Sequence, residues 1–395
     1  MSQRTRGNVL AMSISLSIIF ALYFSWQRLL PLILRELGAT DLQISYSYSA
    51  IILSMGLSQY PGGILADRLG RKPVIVLSTY GIGILYLLAT TQHSWWSFVI
   101  MIALANALNA LYQPAFTALM AESVATGQRG AAFALLEFFI SIALTIGPAF
   151  GAWIMPITGF RVLLAATGFV ALVMGLVRQR FVVETMSLGE STAPVIHLKQ
   201  FSDRRVILLI ASNTFYTLCH SLLLFGPFIS LYAKDRLDFT PSQINLMFAT
   251  GSMVGIFLCQ LGGKLTDRYG SARALRTAAF MYVASLLLWL RLPHFLWATL
   301  CFTISYAFFQ VTMIAGGTLR ADASPPGARG AVLGVVGGLA QTISALALPL
   351  GGLAVERWGL GAPFFMAFGF MSLGAYGTCV LERLMARSST PQASA

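Results

Sequence analysis

Three ionisable side chains stand inside long apolar stretches of this sequence: Arg28, Glu137 and His220. Ionisable groups in such places line a cavity or contact a partner, and acids and histidines among them can carry protons. Glu137 is either a proton-binding site or a structural acid bonded to a neighbouring helix. Arg28 either binds an anionic group in a cavity or extends to the nearest polar surface. His220 is a second proton candidate, and a hydrogen-bonded structural histidine is the alternative.

Charge is otherwise concentrated in one short turn, GGILADRLGRK at residues 62–72, which separates two apolar stretches. Its glycines allow two helices to approach closely and the chain to turn sharply between them. Its acid, Asp67, can lie near the N-terminus of another helix, where free N–H groups favour an anion. The turn is either a contact that holds segments together or a basic loop that only sets membrane orientation.

Polar and aromatic side chains recur within four other apolar segments. They can line a cavity, and by spacing alone each can equally serve as packing between helices. The residues are Tyr23, Trp26, Gln27, Asn106, Asn109, Tyr112, Gln113, Asn213, Tyr216 and Gln310.

No set of residues suited to enzymatic chemistry is evident. The sequence has no Ser/His/Asp arrangement, no nucleotide-binding glycine loop and no phosphate-binding lysine motif. Its four cysteines lie in apolar segments without the close spacing of a metal site or redox pair. We therefore expect no enzymatic activity, no metal and no cofactor.

Composition identifies the class of protein. Of 395 residues, 57% are hydrophobic and only 10% are charged, against about a quarter charged in soluble domains. The net charge of +12 comes from basic residues in short gaps between apolar runs, so we do not expect nucleic-acid binding. The balance is that of a protein embedded in a lipid bilayer.

Twelve segments are long and apolar enough to cross a bilayer, which requires about 20 residues in a helix. We predict these spans: 9–34, 44–66, 73–91, 95–121, 129–154, 161–180, 206–233, 243–265, 274–291, 295–320, 329–354 and 361–382.

The distribution of Lys and Arg predicts the orientation. Nineteen of the 26 basic residues fall on the side that carries the N-terminus, six on the other side and one, Arg28, within a span. Cytoplasmic loops carry the excess of positive charge, so both termini are predicted to be cytoplasmic. We expect the plasma membrane of a bacterium.

The chain also divides into two halves. Its one long connection, residues 181–205, is polar and falls between the sixth and seventh segments. We predict an N-terminal six-helix bundle at 1–180, a cytoplasmic linker at 181–205 and a C-terminal six-helix bundle at 206–395.

The two halves are related by a repeat with an offset of 200 residues. GGILADRLG at 62–70 lies over GGKLTDRYG at 262–270, and AESVATGQRGA at 121–131 lies over ADASPPGARGA at 321–331. Matches between apolar residues by chance would not preserve Asp, Arg and Gly in loops. The repeat indicates a duplicated six-helix unit, and two such units around a central cavity are typical of transporters.

These loops make the resemblance specific. GGILADRLGRK resembles the signature loop between the second and third helices of the major facilitator superfamily, and GGKLTDRYG resembles its copy between the eighth and ninth. The similarity covers nearly the whole chain. It implies an all-α membrane protein of twelve transmembrane helices in two pseudo-symmetric six-helix bundles, with the first, fourth, seventh and tenth helices around the cavity.

The resemblance also implies a role for the charged turns. Asp67 would lie at the start of the eleventh helix, at 329–331, and Arg71 would pair with Glu122, so that the turn holds the two halves together on the cytoplasmic side. In the second half Asp322 remains, but Ser271 replaces the arginine. The residues of this predicted latch are Gly63, Asp67, Arg68, Gly70, Arg71, Glu122, Asp267 and Arg268.

The fifth segment contains TIGPAFGAW, with Gly147, Pro148 and Gly151. It resembles the antiporter motif of the family, in which glycines allow tight packing and proline bends the helix; an ordinary packing helix is the alternative. The fourth segment lacks the arginine that many proton-driven exporters of the family carry. Glu137 or His220 would then replace the usual proton relay.

We predict a secondary transporter that exports a small, partly hydrophobic compound in exchange for protons by alternating access. The alternatives are uptake or facilitated diffusion of an organic anion, with Arg28 as its anchor, and a membrane sensor without transport. The expected partners are a small-molecule substrate, protons and the lipid bilayer, and we expect a monomer.

Overall fold

The computed structural model describes residues 3–125, 128–185, 203–324 and 329–389, without the side chains of 3–6, 259–261, 329–335 and 386–389. Long helices make up nearly all of this part of the chain. They are α1 (Gln3–Gln27), α2 (Leu30–Glu36), α3 (Asp41–Leu69), α4 (Arg71–Thr90), α5 (Trp95–Glu122), α6 (Arg129–Thr158), α7 (Phe160–Phe181), α8 (Arg204–Leu222), α9 (Phe228–Asp235), α10 (Pro241–Tyr269), α11 (Ser271–Trp289), α12 (Phe295–Ala323), α13 (Arg329–Trp358) and α14 (Ala362–Ser389).

Each of the twelve predicted spans coincides with one helix or with a broken pair of helices. The prediction of continuous helices at 9–34 and 206–233 is wrong, because each is interrupted, between α1 and α2 and between α8 and α9. A proline lies at each interruption, Pro31 in the first turn of α2 and Pro227 just before α9. Proline has no backbone N–H to continue a helix, but it is tolerated in a first turn.

Eight helices within the described ranges are long and apolar enough by themselves to cross a membrane, and α10 makes a ninth if its parts at 241–258 and 262–269 form one span. The other helices are shorter or more polar. A helix inside a bundle needs apolar residues only on the face that it turns to lipid or to its neighbours.

The chain forms two compact units. The first comprises Met1–Thr192 and Ala233–Met253, and the second comprises Ala193–Tyr232 and Val254–Ala395. In the first unit α1 packs on α6 and α7, and α4 packs on α5 and α7. In the second unit the equivalent helices form the same pairs, α8 with α13 and α14, and α11 with α12 and α14.

Local details follow the repeat as well. Thr40 and Gln43 form a capping box at the start of α3, in which each side chain bonds the backbone N–H of the other. Thr240 and Gln243 form the same bonds at the start of α10. The sequence repeat is therefore also a structural repeat.

Gly62 allows the closest approach between α3 and α5. A Cβ atom at Gly62 would clash with the backbone carbonyl of Leu111 on α5, whereas one at the neighbouring Gly63 would meet nothing within 4 Å. The two glycines are neighbours in the same helix, but only Gly62 faces α5.

We therefore expect Gly62→Ala to destabilise the protein by about 1–3 kcal/mol, the usual cost of overpacking, because the carbonyl of Leu111 is part of a helix and cannot move aside. Gly63→Ala is the matched control and should be neutral or slightly stabilising. Thermal unfolding of both variants in one detergent measures the difference. Equal melting temperatures would contradict the close α3–α5 contact.

Candidate functional site

The charged turn between α3 and α4 depends on Gly70, which adopts φ +95° and ψ 163°. L-residues rarely adopt this conformation, whereas glycine does so without steric cost. The turn ends at the N-terminus of α4, where the backbone N–H groups of Arg71 and Lys72 donate to the two carboxylate oxygens of Glu184, at 3.2 and 2.8 Å. A carboxylate is stabilised at a helix N-terminus by these free donors and the helix dipole.

Arg71 joins the ends of α3 and α5. Its guanidinium contacts Asp67 at 2.6 Å and Glu122 at 3.4 Å, and donates to the carbonyl of Ala66 at 2.8 Å. The pairing of Arg71 with Glu122 is the one that the resemblance implied, whereas its bond to Asp67 was not anticipated. The other predicted neighbour of Asp67, the start of α13 at 329–331, lies outside the residues whose side chains are described.

The chain after α7 reinforces this end of the first unit. The amide of Asn8 donates to Ser123 Oγ and to the carbonyl of Val183, both at 2.9 Å, and accepts from the N–H of Val183 at 2.8 Å. Thr185 donates to Glu122 at 2.5 Å. The ends of α1, α5 and α7 are thus held together by polar side chains. Sequence analysis missed Asn8 and Glu184, since neither stands in a motif.

The contacts at the corresponding turn of the second unit are different. Ser271, at the position of Arg71, donates to Asp322 at 3.2 Å. Asp267 and Arg268 are exposed. The ion pairs near this turn involve other residues, Arg276 and Arg273 with Glu382 on α14, at 2.7 and 3.6 Å.

At the other end of the first unit, Arg35 contacts two acids. It lies 2.5 Å from Asp41 and 2.8 Å from Asp235. Burial opposes the charge on Arg35, but the hydrogen bonds and charges of both acids outweigh this effect and raise the pKa of Arg35. Arg35 and Asp235 stand at equivalent positions of the repeat and carry opposite charges. This pattern could have indicated their contact from the sequence.

Glu137 and Arg28 do not contact each other among the ion pairs of the described residues. Glu137 is exposed on α6, and no described residue forms a hydrogen bond or an ion pair with it, so the alternative of a bonded structural acid has no support. The guanidinium of Arg28 lies 5.7 Å from the ring centroid of Phe24 and 4.7 Å from that of Phe248. Both distances are within the range of cation–π interactions.

Arg178, one of the nineteen basic residues counted on the side of the N-terminus, is completely buried in the first unit. Its Nε donates to Ser15 Oγ at 2.9 Å and its Nη1 to Thr79 Oγ1 at 2.7 Å. Its guanidinium also lies 5.5 Å from the ring centroid of Tyr112. Arg178 lines a small cavity of about 10 Å³, here called the Arg178 cavity, together with Tyr23 and Asn109.

Helical spacing could have predicted that Arg178 faces α4. Gly168 and Gly175 both face α4, since a Cβ at either would contact Gly83 or Tyr80 there. Arg178 lies three residues after Gly175 and so shares its face of α7.

The second unit contains a cavity that partly overlaps this place in the repeat. This Arg320 cavity has a volume of about 30 Å³ and is lined by Arg320, Asn213, Tyr216 and His220, among others. Arg320 donates to Asn213 Oδ1 at 2.7 Å. Arg320, which belongs to the same group of nineteen basic residues, lies on the last turns of α12 and is only partly exposed.

His220 is buried between two aromatic rings, with its ring centroid 5.1 Å from that of Phe309 and 5.7 Å from that of Tyr282. Tyr216 accepts a 3.5 Å hydrogen bond from Thr378, which also lines the cavity. Three lining positions of the two cavities are equivalent, Phe20 with His220, Tyr112 with Thr312 and Arg178 with Thr378. The cavities therefore overlap in part in the repeat, and their arginines stand at different positions.

The remaining predicted cavity residues are distributed differently. Trp26 is buried and donates to Thr167 at 3.0 Å, so it serves the packing of α1 on α7. Gln27 is half-buried and Gln113 is exposed. Gln310 packs near Gly255 on α10. Of the predicted set, the described cavities include Tyr23, Asn109 and Tyr112 in the first unit and Asn213 and Tyr216 in the second.

The glycines of the antiporter-like motif face α1. A Cβ at Gly147 would lie 2.5 Å from the carbonyl oxygen of Ala21, and one at Gly151 would clash with the carbonyl of Ser25. Pro148 is buried within α6 beside them. The motif therefore permits backbone-to-backbone packing of α6 on α1.

Comparison with known proteins gives consistent results. The sequence profile of the Major Facilitator Superfamily matches residues 10–315 and 224–393. Multi-drug resistance efflux pump PmrA of Streptococcus pneumoniae serotype 4 is 27% identical over 272 residues, which cover 66% of this chain and 67% of that protein. Quinolone resistance protein NorA of Staphylococcus aureus is 22% identical over 365 residues, 90% of this chain and 91% of that one.

Solved structures show the same fold. The crystal structure of nucleoside transporter NupG superposes with a TM-score of 0.76 at 14% sequence identity, and the superposition covers 94% of this chain and 98% of that one. At this identity the similarity concerns the fold alone.

The contacts of Arg71 predict a measurable coupling. Arg71→Gln and Glu122→Gln should each lower stability by up to about 1 kcal/mol, since both groups are partly exposed, and a double-mutant cycle should give a coupling of roughly 0.5–1 kcal/mol. Lys72→Gln, which removes a neighbouring charge without a described ion pair, is the control. Thermal unfolding measures all four variants, and strictly additive effects would contradict the pair.

Proposed function

Because the chain belongs to the major facilitator superfamily, we propose that it is a secondary transporter that exports a small, partly hydrophobic compound in exchange for protons. The protein is an integral membrane transporter and not an enzyme. The exported cargo, the coupling to protons and the cytoplasmic location of both termini are part of the proposal.

Export is supported by two relatives. PmrA and NorA are named as a multi-drug resistance efflux pump and a quinolone resistance protein. NorA is similar over nine-tenths of both chains, so the similarity includes the helices of both units. The packing of Gly147 and Gly151 against α1 also fits the interpretation of TIGPAFGAW as an antiporter motif, in which glycines allow tight packing.

The proposed coupling to protons depends on Glu137. The observation that carries the proposal is the place of this acid in an apolar helix without a described cation beside it. Glu137 lies in α6, a helix long and apolar enough to cross the membrane. Its side chain is exposed, and no described cation holds it in its charged form. An acid at membrane depth without a fixed partner can gain and lose a proton as its surroundings change. His220 is enclosed by aromatic rings, and its access to protons is more restricted.

The mechanism follows from differential binding. If a proton binds Glu137 more tightly in one conformation, protonation shifts the population toward that conformation. The contacts of Arg71 with Asp67 and Glu122 lie within the first unit, as do those of Arg35 with Asp41 and Asp235. They hold the helix ends of this unit together while the protein changes conformation.

Two alternatives have less support. Uptake of an organic anion anchored by Arg28 is not favoured, because this guanidinium lies against two phenylalanine rings and lines neither of the two cavities described above. A sensor without transport would not need charged turns at equivalent places in both halves.

The proposal predicts that Glu137→Gln abolishes export driven by a pH gradient, because the side chain can no longer carry a proton. Exchange of cargo across proteoliposomes without a gradient should persist at a similar rate. The measurement is flux of a fluorescent cargo, identified first by a resistance screen on cells that express the wild type.

Glu356→Gln, which removes an exposed acid near the end of α13, is the matched control and should leave the gradient response unchanged. Gradient-driven export that survives in Glu137→Gln would refute this coupling site. Export that ignores the gradient in the wild type would refute proton coupling altogether.

A further inference from the structure

We infer that the transported compounds carry a negatively charged group, and that the guanidinium of Arg178 recognises it in the first unit and that of Arg320 in the second. This inference rests on the proposed transport function and specifies its substrate class. It assigns the recognition of charge to two of the nineteen basic residues that the sequence analysis counted on the side of the N-terminus.

The first observation is the incomplete bonding of Arg178. Two of its three guanidinium nitrogens donate to hydroxyl groups, those of Ser15 and Thr79. The third, Nη2, is buried and has no hydrogen-bond partner. Buried donors in proteins are almost always bonded, so Nη2 is a donor in need of an acceptor.

The second observation is the environment of that donor. The Arg178 cavity is lined on its aromatic side by Phe20, Tyr23, Tyr86 and Tyr112. Asn109 also lines it, and the buried Oδ1 of this residue lacks a partner as well. The cavity volume of about 10 Å³ has room for a single water molecule. Water would not, however, compensate the positive charge.

The third observation concerns that charge. Among the ion pairs of the described chain none involves Arg178, and its contacts are hydroxyl groups and an aromatic ring. Removing a cation from water costs several kcal/mol that neutral partners repay only in part. An anion that enters beside Arg178 supplies both the missing acceptor and the missing charge.

The second unit shows the same chemistry at its own cavity. Arg320 lines that cavity, and its described bond is to the neutral amide of Asn213. No described acid forms an ion pair with it either. Tyr216 and His220 lie on the same wall. Each unit therefore offers a guanidinium without a carboxylate, beside aromatic side chains.

These features define the ligand chemistry. A compound with an aromatic body and a carboxylate, sulfonate or phosphate group would stack on the rings and bond the guanidinium, as charge-assisted hydrogen bonds favour. A cationic compound of the same shape would meet like charge in both cavities. The cavities in this structure have room for only one or two water molecules, so entry of the anionic group requires the surrounding side chains to move apart.

Three probes of one shape and different charge test the inference: 2-naphthalenesulfonate, the neutral 2-naphthalenesulfonamide and the cationic 2-naphthyltrimethylammonium. Binding of the radiolabelled probes is measured to the full-length protein in nanodiscs, with protein-free nanodiscs as the blank. The wild type should bind the sulfonate at least tenfold more tightly than the other two. Flux of the same probes is measured in proteoliposomes.

The variants separate recognition from folding. Arg178→Gln should abolish the preference for the sulfonate, and Arg320→Gln should reduce it. Arg178→Lys, which retains the charge, should retain part of the preference and serves if the glutamine variant does not fold. Arg180→Gln, at an exposed position on the same helix, is the control and should bind like the wild type. A merely structural role of Arg178 would change stability but not the ratio of the three affinities.

The outcomes distinguish this inference from the transport proposal. Equal binding of the three probes, or a preference for the sulfonate that survives in both glutamine variants, would overturn the inference even if one of the probes is transported. Binding of the sulfonate that depends on Arg178, without flux of any probe, would support the recognition site and contradict transport.

Discussion

A charged side chain in an apolar helix bundle is stable only where protein groups replace the water that it has lost. The structure meets this constraint in different ways at different depths. Arg71, near an end of the first unit, has two acids and a backbone carbonyl. Arg178, deeper in the same unit, has hydroxyl groups and an aromatic ring. The first arrangement balances the charge, whereas the second solvates it without neutralising it, which is why the first suits a conformational contact and the second a binding site.

The repeat supplies the scaffold and its divergence supplies the chemistry. Helix pairs, capping boxes and cavity positions recur in both units. Two ionisable groups inside the helices do not recur: Glu137 corresponds to Gly337, and Arg178 corresponds to Thr378. Residues that are the same in both halves therefore serve the packing of the helices. Residues that differ between the halves are the ones that can give each half a different task.

The helices could be predicted from sequence because hydropathy and bilayer thickness constrain their length and position. The helix breaks at Pro31 and Pro227 were missed because apolar residues continue through them. The burial of Arg178 and Arg320 was not predicted, because a charge near the end of a segment has the same local sequence pattern whether it faces water or the interior. The predicted bond between Arg71 and Glu122 came from a family motif, whereas Glu184, which lies in no motif, became visible only from the geometry of the helix N-terminus that it contacts.

The contact between Arg35 and Asp235 has a consequence for the ancestry of the chain. The two residues are counterparts of one another in the repeat, so two identical copies of the unit would have carried the same charge at both positions. Opposite signs became possible only after the two copies could mutate independently. Divergence of the repeat thus allowed an electrostatic attraction between positions that were once identical.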